Sequence, residues 1–273
     1  MTESQRQLPI GVFDSGIGGL TVLRAICELL PAEPTIYLGD TARVPYGTKS
    51  SAVITRYALN NARFLAARGV KLLVIACNTA SAAALPALTE RLGVPVLGVI
   101  EPGARKASDV TRSGVIGVIG TRATVASGAY LQALRRCVPD LTVHQKPCPL
   151  FVPLAEEGWS DDPVTYSVAR TYLSEWAGGR MDTLILGCTH YPVLTPAIQA
   201  AVGSGITLVD SASAVAKTVA AELSRMSLSA EPGETSPDHR YYVTDVPDRF
   251  REVGRVFLGY ELGDVEQVDI EPS

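Results

Sequence analysis

The amino-acid sequence predicts an α/β protein made of two similar doubly wound, mostly parallel-sheet domains. Three observations carry that expectation. Short β-branched runs alternate with longer helical patterns, as in chains that wind strand and helix about a parallel sheet. Several apolar runs are continuous rather than alternating, which suits strands buried on both faces. The strand pattern of the first half then recurs in the second.

Pro9 to Phe13 (PIGVF) reads as the first buried strand. Ser15 to Gly19 is a glycine-rich turn, and Leu20 to Leu30 reads as a helix ended by Pro31. Thr35 to Leu38 is a second strand. Asp40 to Gly47 (DTARVPYG) reads as a loop, since Pro45 and Gly47 both break regular structure. Ser51 to Arg68 is a long helix with Ile54, Ala58, Ala62 and Leu65 on one face and Gly69 as its stop. Leu72 to Ala76 (LLVIA) is a buried strand, followed by CNTAS, a helix over Ala82 to Leu92, and a strand over Pro95 to Val99.

The pattern then repeats. Val115 to Ile119 matches the strand around Ile10, with Gly117 against Gly11. Leu184 to Gly187 followed by CTH matches VIA followed by CNT, with Cys188 against Cys77. Thr207 to Asp210 matches the strand near Val96, with Val209 against Leu97. The three matches keep their order at nearly constant separation, so they read as an internal duplication. A helix after Ser211 carries Val215, Val219, Leu223 and Met226 on one stripe. Ser227 to Asp238 reads as an exposed loop, Tyr241 to Thr244 as a short strand, Pro247 to Leu258 as a helix and Val265 to Ile270 as a last strand. This tail is too short for a domain of its own. The expected division is therefore 1–98 plus 211–273 for the first domain and 99–210 for the second.

Composition narrows the function classes. Of 273 residues, 47% are hydrophobic and 19% charged, which argues for a real core and against disorder. The net charge of −4, without basic clusters, argues against a nucleic-acid partner. No apolar run approaches the ~18 residues of a membrane helix. The polar start MTESQRQLP lacks a signal peptide's apolar stretch, so a cytoplasmic protein with no membrane partner is expected.

The five cysteines, Cys27, Cys77, Cys137, Cys148 and Cys188, show no CxxC spacing, so no metal is expected. In a reducing compartment they are free thiols, and a free thiol is by default a small buried hydrophobe. Cys27, Cys137 and Cys148 keep that reading. Cys77 and Cys188 differ, because each sits where a buried strand meets the next segment, at equivalent places in the two repeats. Open α/β sheets bind ligands at the carboxyl ends of their strands. Two-fold related units would face the two sulfurs across one cleft.

Opposed acid–base groups suit the inversion of a stereocentre beside a carboxylate. One group removes a proton from one face while the other returns a proton to the opposite face. Cysteine fits because both protonation states are accessible near neutral pH after a modest shift. His190, one of three histidines, is a candidate proton partner for Cys188. Asp14, at the end of the first strand, is the candidate for Cys77. The turn Asp14 to Gly19 has Thr21 where a GxGxxG phosphate cradle requires its third glycine. It fits better as a source of backbone N–H groups with Asp14 and Ser15 aimed into the cleft. Asp40 and Thr121 are further candidates at strand ends. A turn-forming role accounts equally well for Asp40, and a turn or helix-cap role accounts better for Thr121.

FDSGIGG (Phe13 to Gly19), GDTARVPYG (Gly39 to Gly47), ACNTAS (Ala76 to Ser81) and LGCTHYP (Leu186 to Pro192) together resemble the glutamate racemase family. The blocks occur in the family's order and spacing, and the likeness runs from about residue 9 to at least 225. CPLFVPLAEEG (Cys148 to Gly158) resembles its middle block, where Glu156 matches the active-site acid; Glu157 reads as a solvated carboxylate. The resemblance implies two α/β domains related by a pseudo-two-fold axis with the site between them. It implies a cofactor-independent enzyme that interconverts L- and D-glutamate for peptidoglycan synthesis, and a homodimer. It makes Cys77 the group acting on D-glutamate and Cys188 the group acting on L-glutamate, with Asp14, His190 and Glu156 as further catalytic residues. Substrate contacts carried over are Asp14, Ser15, Tyr46, Gly47, Asn78, Thr79, Thr189 and His190. Lys49, Lys71, Lys106, Lys146 and Lys217 sit in no motif that would hold pyridoxal phosphate. Racemisation of aspartate or a hydantoin, and non-catalytic binding of a small acid, are the competing readings. A thiol hydrolase would leave the second cysteine unexplained.

Overall fold

The computed structural model describes residues 3–231 and 237–270. A single helical turn, α1 (Glu3–Arg6), precedes β1 (Ile10–Asp14), whose five residues are all buried. Then come α2 (Leu20–Leu29), β2 (Thr35–Gly39), two 3-10 turns at Thr41–Arg43 and Tyr46–Thr48, α3 (Ser51–Ala66), β3 (Leu72–Ile75), α4 (Asn78–Arg91) and β4 (Val96–Gly98). Helix α5 (Ile100–Val110) leads to β5 (Val115–Gly120), α6 (Arg122–Ala126), α7 (Ala129–Cys137) and β6 (Thr142–Pro147). After these come α8 (Phe151–Glu156), α9 (Pro163–Leu173), β7 (Thr183–Gly187), α10 (Thr195–Val202) and β8 (Thr207–Asp210). The tail contains α11 (Ala212–Arg225), β9 (His239–Val243), α12 (Pro247–Leu258) and β10 (Val265–Gln267).

The strands form two sheets, β10-β9-β2-β1-β3-β4 and β6-β5-β7-β8, and every pairing in both is parallel. The second sheet repeats the inner order of the first. The repeat holds at the level of single residues. Gly11 pairs with Leu73 as Gly117 pairs with Leu184, and Leu73 pairs with Val96 as Leu184 pairs with Leu208. The tail strands β9 and β10 extend the first sheet beyond β2. No helix among the described residues is long and apolar enough to cross a membrane.

The structure departs from the sequence reading in several places. Helix α4 starts at Asn78, not Ala82, because the Cys77 side chain caps it by accepting the Ala80 N–H. The Asp40 to Gly47 segment contains one 3-10 turn, Thr41–Arg43, and the start of a second, Tyr46–Thr48. Strand β6 gave no signal, since the polarity of TVHQKP on a half-exposed edge hides a strand; its burial is nowhere complete. Cys137 is exposed rather than a buried hydrophobe, while all five cysteines are free. The expected loop over 227–238 falls partly on residues 232–236, which lie outside the described residues.

A buried ion pair ties chain segments together behind the first sheet. Lys71 Nζ lies 2.5 Å from Glu33 Oε2, with side chains 1% and 2% exposed, and also donates to the Leu228 carbonyl. Glu33 in turn accepts the Ala230 N–H at 2.7 Å. Lys71→Met leaves that carboxylate buried and unpaired, so a loss of ~3–5 kcal/mol is expected in urea unfolding, part of it recovered by Lys71→Met with Glu33→Gln. A loss under ~1 kcal/mol would fit an exposed pair instead.

Candidate active site

In both sheets the central strands point their carboxyl ends at one cavity of about 340 Å³. Ser15, following β1, and Cys77, Asn78 and Thr79, following β3, supply one side. Thr121, following β5, and Cys188, Thr189 and His190, following β7, supply the other. The loop Val44 to Thr48 forms a third wall, and Glu156 at the end of α8 closes the site. A larger hollow of about 500 Å³ beside α2 and α12 contains neither cysteine.

The two units approach closely at two glycines. A Cβ on Gly18 would collide with His190 and Thr189, and one on Gly47 would lie 2.8 Å from Thr121 Cβ. Polar contacts complete the seam. Thr79 Oγ1 lies 2.9 Å from Thr121 Oγ1 and 3.1 Å from Thr124 Oγ1, and the Tyr130 hydroxyl donates to Asn78 Oδ1 at 2.6 Å. Thr121 also caps α6 by accepting the Thr124 N–H, so its two sequence readings hold together.

The cysteines occupy equivalent positions but different electrostatic settings. Cys77 donates to Ser15 Oγ at 3.5 Å and accepts the Ala80 N–H at 3.5 Å. Burial, then the nearby Asp14 carboxylate, pushes the Cys77 thiol up to about 12 against those two hydrogen bonds. Cys188 Sγ lies 3.8 Å from His190 Nδ1, and His190 Nε2 lies 2.9 Å from Glu156 Oε1. Burial alone would lower the His190 pKa. Hydrogen bonds to Cys188 and Glu156 outweigh it and raise it from 6.5 to about 10. Burial raises the Glu156 carboxyl, but the His190 hydrogen bond and charge win and hold it below its ordinary value. The Phe257 ring meets His190 edge-on, with centroids 5.3 Å apart.

Asp14 stands behind the wall rather than on it. It is fully buried, accepts the Gly16 N–H at 2.9 Å and faces Thr189 Oγ1 at 3.4 Å. Burial raises its carboxyl above the usual range, opposed by His190. Asp40 does not line the cavity; it is buried beneath the Val44 to Thr48 loop. Tyr46, Gly47, Asn78, Thr79, Thr189 and His190 all line it. Sequence reasoning missed Val44, Pro45, Arg122, Pro149, Val152 and Pro153, which line it too. Pro149, Val152 and Pro153 lie within the CPLFVPLAEEG block, which held the signal; Arg122 carried none. Glu157 is exposed and pairs with Arg249 at 2.9 Å.

Two expectations follow from this geometry. Gly18→Ala drives a methyl into Thr189 and His190, and overpacking of this kind costs ~1–3 kcal/mol. Its activity should fall further than its stability, read by comparing melting and turnover on one preparation. His190 has a raised folded-state pKa, so its stabilisation is fully present below 6.5 and is lost as pH rises through about 10. The stability gap between the parent and His190→Asn should therefore narrow from pH 6.5 to pH 10 in urea titrations; a gap that widens would contradict the cationic pairing.

Comparison with known proteins gives a consistent result. The family model described as Asp/Glu/Hydantoin racemase matches residues 10–219. A protein of Geobacter metallireducens named glutamate racemase is 56% identical over 262 residues, covering 96% of this chain and 97% of its own. The crystal structure of glutamate racemase from Francisella tularensis in complex with D-glutamate has a TM-score of 0.91 at 39% identity, covering 97% of this chain and 99% of that one. Glutamate racemase from Thermus thermophilus, in complex with β-chloro-D-alanine, has a TM-score of 0.88 at 49% identity, covering 98% and 99%.

Proposed function

The chain belongs to the Asp/Glu/hydantoin racemase family, and on that premise we propose that it interconverts L- and D-glutamate by a two-cysteine, two-base mechanism without a cofactor. The observation that carries this reading is the pair of thiols, Cys77 and Cys188, at equivalent strand ends of two repeated sheets and on the wall of one cavity. Glutamate as substrate is supported by relatives of that name and by the D-glutamate complex of the Francisella protein. The D-glutamate formed would supply peptidoglycan synthesis.

In the proposed reaction, glutamate lies with its α-carbon between the sulfurs. Cys188 as thiolate takes the α-proton of L-glutamate, and Cys77 as thiol delivers its own proton to the opposite face. The reverse reaction exchanges the roles. His190 places a positive charge 3.8 Å from the Cys188 sulfur, and Glu156 holds the ring in that orientation. Burial keeps Cys77 protonated, which suits the acid of the L-to-D direction. Ser15, Asn78, Thr79 and Thr189, with the backbone of Tyr46 and Gly47, stand where the substrate's amino and carboxylate groups would be held. Val44, Pro45, Val152 and Pro153 supply an apolar lining to part of the cavity.

The direct test is circular dichroism of L-glutamate incubated with the protein and no added cofactor. The signal should decay to zero, because the enantiomers have equal free energy, and exhaustive chelation should not slow the decay. Decay that disappears on chelation and returns with a metal would overturn the cofactor-independent mechanism. Inversion of aspartate or a hydantoin in preference to glutamate would move the protein within its family. Cys77→Ala and Cys188→Ala should each reduce racemisation at least ~10²–10⁴-fold. A single variant racemising near the parent rate would mean that one base serves both faces.

A further inference from the structure

Asp40, immediately after β2, carries a carboxylate that has no exposure to solvent and gathers four donors. Arg43 Nε donates at 2.7 Å, Thr244 Oγ1 at 3.1 Å and Asn61 Nδ2 at 3.4 Å, and the Tyr46 hydroxyl makes the shortest contact. The donors come from different places. Arg43 immediately precedes the stretch that forms the third wall of the cavity and Tyr46 lies at its middle, Asn61 lies on α3, and Thr244 follows β9 in the tail. Arg43 also donates to Asn61 Oδ1 at 3.0 Å, and its guanidinium lies 4.7 Å from the centroid of the Tyr57 ring. Thr244 Oγ1 in turn accepts the Ala42 N–H at 2.8 Å. One buried charge thus fastens the start and the middle of the wall to two flanking elements.

We propose that Asp40 is a positioning residue for the substrate: through Tyr46 and Arg43 it fixes the Val44 to Thr48 wall, and with it the position of Gly47 against Thr121, so that the cavity is shaped before glutamate enters. The inference rests on the glutamate reading above. The argument is one of cost. A buried carboxylate is tolerated only when its hydrogen-bonding capacity is met. Any displacement of Tyr46 or Arg43 strips a donor from it, so the wall has one well-defined place. Burial and the Asp40 charge hold the Tyr46 phenol far above its usual range, so it remains a donor throughout. Because Asp40 is screened from the cavity by this wall, it has no path to the α-proton.

The test is steady-state racemisation in both directions by the parent, Asp40→Asn, Tyr46→Phe and Thr244→Val. The parent is run first, and absence of glutamate racemisation there defeats the functional reading and not this one. With an active parent, Asp40→Asn should raise KM for L- and D-glutamate by the same factor, about ten- to a hundredfold, with kcat within about threefold. Thr244→Val, which alters a donor outside the cavity, should shift KM the same way by about threefold. Combining Tyr46→Phe with Asp40→Asn should add little to Asp40→Asn alone. If Asp40→Asn does not fold, the Tyr46→Phe and Thr244→Val pair decides. A fall in kcat for one direction at unchanged KM would make Asp40 a proton partner of one cysteine and overturn the proposal. Unchanged KM in the folded variants would overturn it equally.

Discussion

Thr189 and His190 reach the first unit only because Gly18 has no side chain, and Gly47 meets Thr121 on the same terms. These close approaches set the distance between the two sheets, and nearly every property of the site depends on that distance. Two parallel sheets placed a little further apart would present their strand ends to solvent, and each cysteine would be a thiol at the mouth of its own crevice. Held together, they enclose about 340 Å³ in which both sulfurs face the same contents. The threonine contacts Thr79–Thr121 and Thr79–Thr124 and the Tyr130–Asn78 bond satisfy the polar groups which that approach buries. The glycine-rich turn therefore serves the packing of two units and not a phosphate.

The same constraint explains which parts of the molecule were legible in the sequence. Strands buried on both faces must be continuously apolar, so β1, β3, β5 and β7 stood out, and the glycines Gly11 and Gly117 marked their shared register. Each has a neighbour where a Cβ would go: Val70 for Gly11 and the Met181 sulfur for Gly117. The duplication was visible because the central strands of both sheets carry the same packing demand. Strand β6 lies at an edge with alternating exposure, and α5 to α10 cover a sheet whose helices have no repeat partner strong enough to recognise. No pattern in their sequences announced them.

Among site residues, those following a buried strand could be found from the sequence, since the end of a strand is a geometric position. Cys77, Cys188, Ser15 and Thr121 belong to that set. Residues brought by a loop or by an unrelated helix could not be found in this way. Pro149, Val152 and Pro153 line the cavity from the start of α8, and nothing in their apolar character separates them from core residues. Asp40 shows the opposite failure. It comes just after a strand and faces the right edge, yet the loop that follows folds back over it. A carboxylate there reads alike whether it faces substrate or is roofed by Tyr46, and only the position of Tyr46 decides.

The duplicated backbone does not produce a duplicated environment, and the proposed chemistry needs that difference. Two thiols in identical surroundings would hold their protons equally, and the state with one thiolate and one thiol would have no preferred arrangement. Here the repeat places both sulfurs, and non-repeated neighbours then distinguish them. Asp14 and burial act on Cys77 in the direction that keeps its proton. His190, held by Glu156 and packed against Phe257 of the tail helix, brings a cation to Cys188. A cation therefore stands beside the second sulfur and not the first. This asymmetry cannot move the equilibrium, because the enantiomers have equal free energy and an enzyme acts on both directions alike. A tail outside the repeat, through Phe257 against His190, thereby helps to distinguish two sites that the repeat alone would leave symmetric.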